Sequence, residues 1–153
     1  MADVFLSHLE WSGATRGPTR DPSTFSRDLD VTLGPVAVAM SSAPAFRGDA
    51  ARANPEQLFV ASLSACQALT YLFLAAKHGI AVTAYSDDGE GRLALVDGRM
   101  RVSRVLLRPR ITLADRASEA QARTLVERAH AECFIANSTS TPVQIEPIFE
   151  FAS

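Results

Sequence analysis

Two cysteines, Cys66 and Cys133, are the residues of this 153-residue chain best suited to covalent chemistry. A lone free cysteine is most often just a small buried apolar side chain. Two of them, each on the inward face of a different helix, could instead do thiol redox work, one attacking and the other resolving. Two rival chemistries use the same atoms. His130 and Cys133 stand three residues apart on one helix face and could hold a metal with Cys66, but no C-x-x-C or H-x-x-x-H spacing supports it. A cysteine hydrolase needs a base, and of His8, His78 and His130 only His130 falls near a thiol. Arg27 is the one charge in the alternating apolar row Phe25, Arg27, Leu29, Val31, Leu33. An inward arginine asks for a carboxylate or an anionic ligand, unless it curls from the strand end into solvent.

The element that must position Cys66 is the stretch 54–79. Asn54 suits the N-cap, Pro55 the first helical position, and Gln57 a reciprocal capping bond. Glu56 sets a negative charge at the positive end of the dipole; Lys77 and His78 suit the other end, and Gly79 a left-handed cap. Roughly 24 residues make a rod about 36 Å long. It carries no charge between Glu56 and Lys77 and is apolar on every side, so it is expected to be central and buried. Ser62, Ser64, Gln67 and Thr70 argue against a membrane span.

Around it, 4–11, 24–33 and 36–40 read as strands, and 14–23 and 41–53 as loops, the latter bringing Arg47 and Arg52 to the helix start. Segments 80–86, 90–96 and 100–107 are strands, with Asp97-Gly98 a type I′ hairpin turn. The alternation slips near Arg104, which a bulge explains, and Arg99, Arg101, Arg104, Arg108 and Arg110 read as a solvated basic stripe. Residues 115–133 form a second helix with Cys133 ending its core-facing stripe, and 141–151 a last strand. The fold is α+β with a largely antiparallel sheet, in a single domain over 1–153.

A net charge of −2 gives no reason to expect nucleic acid or an anionic membrane as partner. No basic segment followed by an apolar one opens the chain, so a secretory signal is not expected. With two cysteines 67 positions apart, a reducing cytoplasm is the expected compartment.

The runs N-P-E-Q-L-F-V-A-S-L-S-A-C at 54–66 and A-H-A-E-C-F-I-A-N-S at 129–138, with Y-S-D-D-G-E-G at 85–91 and F-S-R-D at 25–28, resemble the OsmC/Ohr family. The resemblance implies a thiol peroxidase acting on organic hydroperoxides and built as an intertwined homodimer. It places the peroxidatic role on Cys66, the resolving role on Cys133 and the helix-cap glutamate on Glu56. The family's arginine falls on Arg27, or else on Arg47. It implies an external dithiol as reductant and no metal or bound cofactor. Leu63, Leu69, Phe59 and Phe73 are expected to line an apolar pocket. Glu56 and Cys66 lie about 15 Å apart along one helix, so shared sites across the dimer are expected. The alternative is a non-catalytic ligand- or partner-binding protein with structural cysteines.

Overall fold

The computed structural model describes residues 2–153; Met1 lies outside the described residues. They form two compact units, one running through Leu58 and the other from Phe59 to Ser153.

In the first unit, β1 (Ser7–Glu10), β2 (Leu29–Leu33) and β3 (Val36–Met40) make an antiparallel sheet in that order. The strand expected over 24–33 starts only at Leu29, because the preceding residues fold back on themselves. The Arg27 guanidinium donates to the Phe25 and Pro22 carbonyls at 2.8 and 2.5 Å, and the Trp11 indole donates to the Ser26 carbonyl at 2.8 Å. Arg27 therefore never stands in an apolar strand row. The unit ends on the expected capping box: the Gln57 N–H donates to Asn54 Oδ1 at 2.9 Å, and the Asn54 N–H to Gln57 Oε1 at 3.0 Å. Such a cap is worth about 1 kcal/mol.

The helix so started, α1 (Pro55–Lys77), continues into the second unit. It stops in a Schellman arrangement, with Gly79 at φ 70° and the Ile80 and Gly79 N–H groups donating to the Ala75 and Ala76 carbonyls. The remaining elements are β4 (Val82–Asp87), β5 (Glu90–Val96), β6 (Arg99–Leu107), β7 (Pro109–Leu113), α2 (Glu119–Glu132), α3 (Phe134–Asn137), β8 (Val143–Ile145) and β9 (Ile148–Phe151). Two further three-stranded sheets result, ordered β4-β7-β9 and β5-β6-β8, each with one antiparallel and one parallel pair. The last strand expected over 141–151 is two strands, broken at Glu146-Pro147, so that β8 and β9 join different sheets. Asp97 and Gly98 both have positive φ, as a type I′ turn requires. The slip is real: Arg92 faces Arg104 and Leu93 faces Val102, leaving Ser103 as the extra residue of a bulge. The Ser103 hydroxyl donates to the Arg92 carbonyl at 3.0 Å.

One face of α1 supplies two cores. Tyr71, Leu74 and Ala75 pack with Ile111, Leu113 and the α2 stripe Ala122, Leu125, Val126, Ala129. Leu63 packs with Val105 and Leu107, with Phe59 and Val60 alongside. The expected all-round burial is not met within one chain. Leu69 is 70% and Phe73 64% exposed on the opposite face. By length and composition alone α1 could cross a membrane. Its inner face is instead occupied by protein, with the Gln67 and Tyr71 side chains hydrogen-bonded to α2.

Candidate functional site

Cys66 lies midway along α1, in a stretch fixed two residues earlier where the Ser64 hydroxyl donates to Asp87 Oδ2 at 2.5 Å. The same carboxylate accepts the Arg108 N–H at 2.6 Å, tying α1 to the start of β7. Cys133 sits where α2 ends and α3 begins, its backbone extended at φ −68°, ψ 117°. It caps α3, its Sγ accepting the Ala136 N–H at 3.4 Å. Both cysteines are free thiols; Cys133 is fully buried and Cys66 partly open.

The fold brings the two thiols close enough for each to act on the other's ionisation, and that makes them unequal. Burial alone would push the Cys66 thiol up, but the Cys133 side chain, the Ile135 and Phe134 N–H groups and the Thr70 side chain together hold it below an ordinary thiol. Burial pushes Cys133 up, and its bond to Cys66 pushes it further. A thiolate on Cys66 is thus stabilised by a neighbouring S–H donor and by the unpaired N–H groups that open α3. Sequence reasoning looked to an arginine for this task and missed these backbone donors. The signal was present in the cysteine's place just before Phe134-Ile135-Ala136, where a helix start leaves its N–H groups free.

Beside Cys66 opens a cavity of about 570 Å³ lined by Leu69, Thr70, Phe73, Glu132, Phe134 and Asn137. Thr70 and Phe134 belong both to this lining and to the groups that lower the Cys66 thiol, so the cavity lies near it. Leu69 and Phe73 line it as expected. Phe59 and Leu63 do not; they fill the core under β6. Glu132 brings a carboxylate to the rim, paired with Arg128 at 2.8 Å.

His130 is not among the groups acting on either thiol. Its side chain lines a separate cavity of about 240 Å³ with Arg123, Val126 and Glu127. The base needed for a cysteine hydrolase is therefore not at the site. Among the described residues no cluster of His, Cys, Asp and Glu forms a metal cage.

The other expected site residues lie in the first unit. Arg27 and Arg47 line one cavity of about 340 Å³ with Arg16, Phe25, Asp28 and Asp49. Arg27 stacks on the Phe25 ring at 4.1 Å, and Arg47, at φ 64°, donates to the Ser23 carbonyl at 3.3 Å. Neither arginine is ion-paired with a carboxylate among the described residues, and neither is ion-paired with Glu56. Glu56 has a buried Oε2 with no protein partner. Arg52 does pair, at 3.8 Å from Asp28, 3.3 Å from Asp30 and 3.8 Å from Asp49. Asp28, only 5% exposed, also takes Arg16 at 2.9 Å.

Residues 48–147 match the family described as OsmC-like protein. Among solved structures, an OsmC-like protein of unknown function from Vibrio cholerae is 28% identical over 96% of this chain and 100% of its own, with a TM-score of 0.88. The organic hydroperoxide resistance protein OsmC of Legionella pneumophila is 17% identical, with 98% of each chain covered and a TM-score of 0.68. OhrB, the organic hydroperoxide resistance protein of Bacillus subtilis, is 20% identical over 98% of each chain, with a TM-score of 0.62. These last two likenesses are of fold. No curated protein matches the chain.

Proposed function

The chain belongs to the OsmC-like protein family, and from that premise we propose that it is a thiol-dependent peroxidase that reduces organic hydroperoxides to alcohols. The observation that carries this reading is a pair of free thiols close enough to act on each other, with the Cys66 thiol lowered and the Cys133 thiol raised. The Cys66 thiolate attacks the outer peroxide oxygen; the O–O bond breaks, the alkoxide leaves as alcohol with one proton, and Cys66 becomes a sulfenic acid. The Cys133 thiol then displaces water from that sulfur, forming the disulfide. An external dithiol returns both cysteines to thiols by exchange, and no bound metal or cofactor takes part. The apolar walls given by Leu69, Phe73 and Phe134 favour an alkyl or aryl hydroperoxide over hydrogen peroxide.

The enzyme acts as a homodimer in the cytoplasm, with the open face carrying Leu69 and Phe73 covered by a second copy. Arg27, or failing it Arg47, assists the reacting oxygens, and the unpartnered Glu56 carboxylate orients it.

Titrating the reduced protein with cumene hydroperoxide tests the reading. One equivalent removes both thiols and lowers the mass by about 2 Da, the two protons lost on disulfide formation. Thiols that stay intact under excess hydroperoxide overturn it in favour of a binding protein with structural cysteines.

A further inference from the structure

Gln67 follows Cys66 directly and is 2% exposed, yet it carries a polar group into the seam between α1 and α2. Its Nε2 donates to the Val126 carbonyl at 3.1 Å. One turn on, the Tyr71 hydroxyl donates to the Ala122 carbonyl at 3.3 Å, also in a buried setting. The two donors are four residues apart on α1, and their acceptors are four residues apart on α2 in the reverse order. Together they form a two-rung ladder that fixes how far along antiparallel α1 the helix α2 can sit. Val126 lies seven residues before Cys133, about 10 Å along the helix. The residue next to Cys66 on α1 thus holds α2 at Val126, and α2 runs on from there to end at Cys133.

The arrangement carries a cost that packing alone would not retain. The Gln67 Oε1 is buried and no donor from the protein reaches it. A leucine of similar size would bury the same volume and leave no polar atom of the side chain unmet. Nor can the amide be turned round, since the Val126 carbonyl accepts only from the NH₂ end.

We infer that Gln67 is a positioning residue, which holds α2 in the register that brings Cys133 onto Cys66. The inference rests on the reading of these thiols as a redox pair, but not on what oxidises them.

The test is the equilibrium between the full-length protein and dithiothreitol. Oxidised dithiothreitol takes two electrons and two protons from Cys66 and Cys133, giving the protein disulfide and reduced dithiothreitol. Gln67→Leu and Gln67→Met should lower the equilibrium constant for this disulfide about tenfold, because the second thiol is no longer held in place. Their Tm should be unchanged or higher. A constant equal to that of the parent overturns the inference, as does one that falls in step with a falling Tm, which marks a merely structural role. A parent that forms no disulfide in this exchange overturns the redox-pair reading itself.

Discussion

Cys66→Ser should reduce hydroperoxide turnover to the uncatalysed level, whereas Cys133→Ser should leave the first oxidation intact and remove what protects its product. The asymmetry follows from the surroundings of the two sulfurs. Cys66 is partly open and has its thiolate favoured by the Cys133 side chain and the Ile135 and Phe134 N–H groups. Cys133 is fully buried and its thiol is held protonated. In Cys133→Ser a sulfenic acid forms and finds no thiol, so excess hydroperoxide carries it to sulfinic acid, a gain of two oxygens readable by mass. Dependence on pH separates the donor role of Cys133 from its resolving role. The first oxidation tracks the thiolate fraction, so it rises with pH and levels off below the value near 8.5 typical of free thiols. Serine keeps an O–H donor against Cys66 and should leave that point nearly in place. Cys133→Ala removes the donor and should move it to higher pH. Stopped-flow oxidation of the three proteins across pH decides the matter. A Cys133→Ser protein that resists the first oxidation would reverse the two roles.

A mixed dimer of Cys66→Ser and Glu56→Ala chains should regain about half the activity of the parent dimer, although each variant alone is nearly inactive. The expectation comes from helix geometry. Glu56 and Cys66 are ten residues apart in α1, about 15 Å along the axis, and a glutamate cannot span that distance. The Glu56 Oε2 is nevertheless buried without a partner, which is costly for a carboxylate unless a cation completes it. Arg27 has carbonyls and a ring around it but no carboxylate. If α1 of one copy packs antiparallel on α1 of the other, the cap of one helix lies beside the middle of its partner. A heterodimer then has one doubly damaged site and one intact site. Glu56→Ala should cost on the order of 100-fold by letting its arginine drift. Co-expression with two affinity tags isolates the mixed dimer; a verified heterodimer no more active than its parents would sink the shared site.

Features written in local chemistry were legible from the sequence. The Asn54–Gln57 capping box, the left-handed Gly79, the Asp97-Gly98 turn and the bulge beside Arg104 each depend on a few neighbouring residues, and each is present. What escaped was set by tertiary contact. Alternation over 24–28 mimicked a strand, but Arg27 found closer acceptors in its own loop at Phe25 and Pro22. A strand read through 141–151 ignored how little Pro147 suits a ladder, and the chain uses that break to pass between sheets. On α1 the apolar residues run all round, so periodicity could not say which face was inner. Gln67 therefore looked like an interruption, and Tyr71 like one more apolar residue, when both are bonds to α2. The meeting of Cys66 with Cys133 was carried by family resemblance, because nothing in spacing specifies a contact between residues on two helices.

The bulge at Ser103 makes the β5–β6 ribbon tolerant of a change in chain length. Arg99 to Val102 pair with one half of β5, Arg104 to Leu106 with the other, and Ser103 faces no residue across the ladder. A descendant sequence that lost this serine would close into an unbroken ladder with every remaining neighbour unchanged. Val105 and Leu107 would still lie beneath Leu63, three residues before Cys66. One codon can therefore be lost there without changing which side chains support the helix.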